Sequence, residues 1–251
     1  MKYIVIIPAR YESSRFPGKP LAKIGGEEMI TRVCRQVQKA GVEAVVATDD
    51  KRIFDCVEAA GFKAVMTSRD HNSGTERVEE AYRLLGSDAD VVINVQGDEP
   101  FIRPEQIEKL VAIFEKNPDA DIATLAMKFD ANRGFDALFD PNLVKITFSD
   151  KMDALYFSRS IIPYVRKTDW KNWLKVAEFH THIGIYGYKA KTLSEIVRLS
   201  QASLETAESL EQLRWLQNGY GIKVGITEFS TIGIDTEADL REAEEMLAKM
   251  S

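Results

Sequence analysis

Along the first hundred residues, unbroken apolar runs alternate with segments of helical periodicity. Lys2–Ile7 (KYIVII) is continuous in the way of a strand buried on both faces. Glu27–Ala40 repeats its apolar positions at helical spacing, and Ala44–Thr48 (AVVAT) is a second apolar run. The alternation continues with a helix near Asp50–Ala60, a short strand at Lys63–Met66, a helix from about Gly74 to Leu85 and a strand at Asp90–Val95 (DVVINV). This order predicts βαβ units, which build a parallel sheet covered by helices and bind ligands at the carboxyl ends of the strands.

After a helix near Pro104–Lys116 the rhythm changes to short strands, at Asp121–Lys128, Leu143–Phe148 and Ala154–Ser158, which predicts a mixed or antiparallel extension. Ile161–Phe179 mixes Pro163, Trp170 and Trp173 with basic residues and has no clear period, so a loop or arm is expected there. A strand at Gly184–Tyr188, helices at Lys191–Arg198 and Leu210–Gln217, a strand at Ile222–Thr227 and a helix over Thr236–Met250 complete the chain. No boundary divides it into independent domains. The fold expected is a single α/β, Rossmann-like domain over 1–251 with a mostly parallel central sheet.

Composition narrows the classes of function. No apolar run approaches the roughly 18 residues of a membrane span, and the short apolar start ends in Arg10, unlike a signal peptide, so a soluble cytoplasmic protein is expected. Cys34 and Cys56 lie in helical patterns outside any CxxC or Cys/His cluster, which points to reduced thiols. A net charge of -6 disfavours nonspecific nucleic-acid binding. It would also repel a small anionic substrate, so such a substrate needs a local group of cations.

The loop IIPARYESSRFPGKPLAKIGG supplies one: Arg10, Arg15 and Lys19 directly follow the first strand. It matches neither GxxxxGK[ST] nor GxGxxG. Backbone N–H groups after a strand and three cations nonetheless suit a polyphosphate, each contact worth roughly 4 kcal/mol at about 4 Å and an effective dielectric near 20. The alternative is a solvated basic turn. In VINVQGDEPFI a strand ends at Gln96 and Gly97, and Asp98 is placed at the sheet's rim as a candidate Mg²⁺ ligand or an ordinary helix start. In TIGIDTEADL, Asp235 or Thr236 stands where a helix N-cap belongs, so Asp235 is either a cap or a second metal ligand.

Eight segments in order, IPARYESSRFPGKPL, ATDD, MTSRDHNSGTERV, INVQGDEPFI, ALYFSRSIIPY, HIGIYGYK, LEQLRWLQNG and GIDTEADL, resemble the 3-deoxy-D-manno-octulosonate (Kdo) cytidylyltransferase family over nearly the whole chain. The resemblance implies a cytoplasmic, dimeric, Mg²⁺-dependent enzyme of lipopolysaccharide synthesis that couples CTP to Kdo and releases pyrophosphate. By the same resemblance Arg10, Arg15 and Lys19 bind the triphosphate, Ser73 and Gly74 lie in the nucleotide pocket, and Asp98 and Asp235 hold Mg²⁺. Lys19, Arg10, Asp98 and Asp235 are then the catalytic group. Arg77, Gln96, Arg159, His182, Tyr186 and Glu211 fall in the sugar-binding set, with Arg77 and Arg159 the candidates for the sugar carboxylate. Residues 1–120 become the CTP half and 121–251 the sugar and dimerisation half, with the segment around Trp170 and Trp173 and the LEQLRWLQ helix as possible interfaces.

Readings from the residues alone stay open beside these. Ser73 with Glu76 also forms a capping box, His182 also reads as a hydrogen-bonded strand histidine, and Tyr156, Phe157, Tyr186 and Tyr188 read as core or sugar-platform residues rather than catalysts. The alternatives in function are activation of the 8-amino analogue of Kdo or another acidic sugar, or a noncatalytic nucleotide-binding regulator. A hexose-1-phosphate enzyme is disfavoured because PARYESSR replaces a GxGxR-type opening.

Overall fold

A computed structural model describes residues 1–12, 16–231 and 233–250. In chain order its strands and helices are β1 (Tyr3–Ala9), β2 (Lys23–Ile24), β3 (Glu27–Glu28), α1 (Met29–Lys39), β4 (Glu43–Thr48), α2 (Lys51–Ala59), β5 (Lys63–Met66), α3 (Gly74–Leu84), β6 (Val91–Asn94) and α4 (Pro104–Lys116). There follow β7 (Ile122–Lys128), β8 (Lys145–Phe148), β9 (Ala154–Ser158), α5 (Trp173–Val176), β10 (His180–Lys189), α6 (Ala190–Ile196), α7 (Ser203–Glu208), α8 (Gln212–Gln217), β11 (Ile222–Thr227) and α9 (Glu237–Met250).

The alternating side chains of β1 show why the apolar run becomes a central strand. Val5 and Ile7 enter one hydrophobic cluster with Val33, Val37 and Phe114 from α1 and α4, while Ile4 and Ile6 enter a second with Val78, Ala81 and Trp215 from α3 and α8. Both faces are covered, as in a parallel sheet. The strand order is β11-β7-β10-β6-β1-β4-β5, with β1 parallel to β4 and β6, β4 parallel to β5, and β7 parallel to β11. The strand runs on to Ala9, beyond the expected end at Ile7. Pro8 is tolerated because pairing to β6 has ended at Ile6–Asn94 while pairing to β4 continues.

The expected mixed, antiparallel component is built around β10. β10 lies between β6 and β7 in the middle of the sheet, antiparallel to both, and its register shifts between Ile183 and Tyr186. β8 and β9 leave the main plane from the same strand. One sheet therefore joins the two halves of the chain.

Ile161–Phe179 is more ordered than a loop. It contains a turn of 3₁₀ helix at Trp170–Asn172 and α5, and it packs Trp173 and Phe179 with Phe129, Phe135 and Leu138 in a satellite core. Phe139, Tyr164, Trp170 and Val176 remain exposed around it. In the LEQLRWLQ helix, named as a possible interface, Leu213, Arg214 and Trp215 are buried within the chain, and Arg214 is paired with Glu205 of α7, a helix the periodicity did not reveal.

Candidate active site

Four strand-end segments meet around a cleft of about 300 Å³. Arg10 and Lys19 follow β1, His71, Ser73 and Gly74 follow β5, Gln96, Gly97 and Asp98 follow β6, and Asp235 follows β11. The first and third segments touch closely: a Cβ on Gly97 would stand 2.8 Å from the Pro8 carbonyl oxygen, so only glycine brings Asp98 this near the first loop.

The Lys19 ammonium sits between the two expected metal ligands, donating to Asp98 Oδ2 at 2.6 Å and to Asp235 Oδ1 at 3.2 Å. Residues far apart in the chain thus converge on one cation position. Capping does not explain Asp235. The α9 cap is Thr236, whose Oγ1 accepts from the Asp239 N–H, while the Asp239 carboxylate accepts from the backbone N–H groups of Asp235 and Thr236. Asp98 and Asp235 offer hard oxygen donors, and no third His, Cys, Asp or Glu gathers with them among the described residues. Two carboxylates that leave room for water and phosphate oxygens fit Mg²⁺, with the ammonium marking where a cation belongs.

Beside Asp98, Glu99 is buried, with Oε2 lacking a hydrogen-bond partner among the described residues. Burial first, then the Asp98 charge, pushes its carboxyl up to about 8. Glu99 carries no local sequence signal beyond its place beside Asp98.

The other expected residues divide. Arg10 lines the cleft, whereas Arg15 lies outside the described residues. Ser73 does both jobs weighed for it: its Oγ caps α3 by accepting from the Glu76 N–H at 3.2 Å, and it lines the cleft with Gly74. Gln96 lines the cleft beside Gly74, whose Cβ position would stand 3.7 Å from Gln96 Oε1, and donates to Asn94 Oδ1 at 3.3 Å.

Arg77 and Arg159 do not meet. Arg77 reaches the cleft, but its buried guanidinium binds Asp49 at 2.7 Å, Thr67 Oγ1 at 2.6 Å and the Ser68 carbonyl at 3.1 Å. It holds the loop before α3 to the end of β4. Arg159 is not on the cleft at all. It donates to the backbone carbonyls of Glu208, Pro141 and Ser209, so its planar fork clamps loops rather than presenting itself to a carboxylate. Of the two candidates for the sugar carboxylate, only Arg77 is therefore at the cleft.

His182, Tyr186 and Glu211 are not among the residues that line the cleft. Tyr186 pairs with Asn94 across the β10–β6 ladder, and the His182 imidazole lies 2.9 Å from Thr124 Oγ1 with its ring against Phe157 and Tyr186. Burial brings the His182 pKa down to about 3, so the ring is neutral. Glu211 accepts from Thr75 Oγ1 at 2.7 Å and is pushed upward by burial. Tyr186 and Tyr188 pack against Trp215 as core residues, yet neither hydroxyl has a well-aligned partner among the described residues.

Residues 4–226 match the cytidylyltransferase family. The chain is 54% identical, over all of both chains, to 3-deoxy-manno-octulosonate cytidylyltransferase of Bacteroides thetaiotaomicron. It is 44% identical, over 99% of each chain, to 8-amino-3,8-dideoxy-manno-octulosonate cytidylyltransferase of Shewanella frigidimarina. A solved structure of CMP:2-keto-3-deoxy-manno-octonic acid synthetase complexed with CTP superposes with a TM-score of 0.91 at 40% identity, covering all of both chains. With full-length identity of this order and the whole sheet in common, the chain belongs to the cytidylyltransferase family, among the 3-deoxy-manno-octulosonate cytidylyltransferases.

Proposed function

We propose that the protein transfers the cytidylyl group of CTP to Kdo, giving CMP-Kdo and pyrophosphate. The observation that carries this reading is the convergence of Lys19, Asp98 and Asp235 in a cleft that also holds Arg10, Ser73 and Gly74. In the reaction the anomeric hydroxyl of Kdo attacks the α-phosphorus of CTP, a bond forms to that oxygen, and the bond to the β-phosphate oxygen breaks. No covalent enzyme intermediate is needed. The protein has to align two anions and neutralise charge on the phosphate oxygens.

Arg10 and Lys19 bind the phosphates and stabilise the departing pyrophosphate, and the α3 N-terminus with Ser73 and Gly74 faces the nucleoside end. Mg²⁺ held by Asp98 and Asp235 would supply further neutralisation of phosphate charge. Gln96 lines the cleft and is assigned to the sugar side, while His182, Tyr186 and Glu211 lie outside the cleft lining and are assigned to the sugar hydroxyls on the family resemblance, which a neutral imidazole suits. Greater identity to the Kdo enzyme than to the 8-amino one supports Kdo as the acceptor. The exposed aromatics around Trp170 support a homodimer through that surface. No helix among the described residues is long and apolar enough to cross a membrane, and we place the reaction in the cytoplasm, supplying lipopolysaccharide synthesis.

The test is pyrophosphate release from CTP and Mg²⁺ with Kdo, its 8-amino analogue, sialic acid or a hexose 1-phosphate, each with and without EDTA. EDTA-sensitive release with Kdo is expected. Preference for another sugar overturns the acceptor, and binding of CTP with no turnover on any sugar favours the regulatory alternative.

A further inference from the structure

The loop that carries the phosphate-binding cations is braced from outside the cleft. Its two described ends are joined by the Gly18 N–H, which donates to the Tyr11 carbonyl at 2.8 Å. Gly18 has φ of +72°, and a Cβ there would stand 3.0 Å from the Tyr11 ring, so ring and glycine are in close contact. Gly18 directly precedes Lys19, which opens a short 3₁₀ turn. The position of the Tyr11 ring therefore fixes the backbone from which the Lys19 ammonium reaches Asp98 and Asp235.

The Tyr11 ring is held in turn by Arg52, whose guanidinium carbon lies 3.4 Å from the ring centroid. Arg52 is itself fixed: Nε donates to Asp50 Oδ1 at 2.9 Å and a terminal nitrogen to Oδ2 at 2.7 Å, a bidentate pair. Asp50 is largely buried and caps α2 by accepting from the Arg52 N–H at 2.9 Å. A chain of contacts thus runs from the α2 N-terminus through Asp50, Arg52, Tyr11 and Gly18 to Lys19. Nothing in the catalytic reading uses Arg52, and a solvated arginine beginning a helix has no need of this geometry.

We propose that Arg52 is a positioning residue for nucleotide binding, holding Tyr11 so that Gly18 and Lys19 stand in register with the Asp98–Asp235 pair. This rests on the nucleotide reading above. The planar guanidinium stacks on the ring while both its edges remain available to Asp50, a combination lysine cannot reproduce.

Titration calorimetry with CTP and Mg²⁺ on the intact protein tests it, with Tm and steady-state kinetics recorded in parallel. Arg52→Ala is expected to raise the Kd for CTP about fivefold, the upper end for an exposed cation–π contact, with kcat falling less than affinity. Tyr11→Leu should do the same, and the double variant should be no weaker than either single one, because both remove one contact. Arg52→Lys should recover part of the affinity. An Arg52→Ala protein that binds CTP within twofold of the parent, or additive effects in the double variant, overturns the brace. So does an affinity loss matched by a fall in Tm of more than about 8 °C, which would mark a general folding role. Failure of the parent protein to bind CTP overturns the nucleotide reading itself and the brace with it.

Discussion

Replacing Asp98 by Asn keeps volume and hydrogen-bonding shape while removing one charge from the centre of the cleft. Its carboxylate lies 2.6 Å from the Lys19 ammonium, and its side chain is 34% exposed. A unit charge about 4 Å from an opposite charge is worth roughly 4 kcal/mol at an effective dielectric near 20, and solvent screening at this exposure reduces that to about 2–4 kcal/mol. If the interaction acts on charge in the transition state, kcat/KM falls about 30- to 1000-fold. The folded state loses much less, because a pair this exposed contributes at most about 1 kcal/mol, a shift of roughly 2–4 °C in Tm for a chain of this length. Pyrophosphate release at saturating Mg²⁺, read beside a thermal melt, separates the two effects. Asp235→Asn should behave alike, since Asp235 takes the other side of the same ammonium at 3.2 Å. Either variant with kcat/KM within threefold of the parent, or a Tm lowered by more than about 8 °C, refutes the electrostatic role.

Two other expectations follow from burial. Arg77 and Asp49 form a nearly buried ion pair, so Arg77→Ala strands a carboxylate and should cost about 3–5 kcal/mol, lowering Tm by roughly 10 °C or more. A KM for Kdo raised tenfold with an unchanged Tm would instead mark a direct role for Arg77 in sugar binding. His182 has its pKa depressed to about 3 in the fold against about 6.5 unfolded, so only the unfolded chain takes up the proton as pH drops below 6.5. Stability should therefore decline from pH 6.5 toward pH 3, by at most about 2 kcal/mol at pH 5, and His182→Gln should flatten that slope in urea titrations. Parallel slopes for both proteins would mean the imidazole is not the group responsible.

The cleft's chemistry was legible in the sequence where it rests on local order. A strand end followed by glycine and a carboxylate, or by a loop of cations, places those groups at the sheet's rim whatever packs elsewhere, and Arg10, Lys19, Gln96 and Asp98 are found there. Ser73 was legible twice over, as cap and as cleft wall, because one backbone geometry serves both. For Arg77 and Arg159, the candidates for the sugar carboxylate, the contacts they make were not legible, because an arginine's partner is set by distant residues. Asp49 and the carbonyls of Pro141, Glu208 and Ser209 come to them only in the folded chain.

The sequence by itself determined the alternation of strands and helices, the absence of a domain boundary and the loops that carry charge, because each follows from side-chain periodicity and turn chemistry within a few residues. Tertiary structure decided the rest. β10 enters the middle of the sheet against strands some sixty and ninety residues away, a pairing no local pattern encodes. Lys145 reads as an ordinary strand lysine, yet it is fully buried with its ammonium on the carbonyls of Asp140 and Arg159, since two irregular loops close over it. Asp235 becomes a partner of Lys19 only through the fold, since the two stand 216 positions apart in the chain. A charge's function depends on which opposite charge lies within a few ångströms, and for this cleft that distance is a property of the sheet's topology.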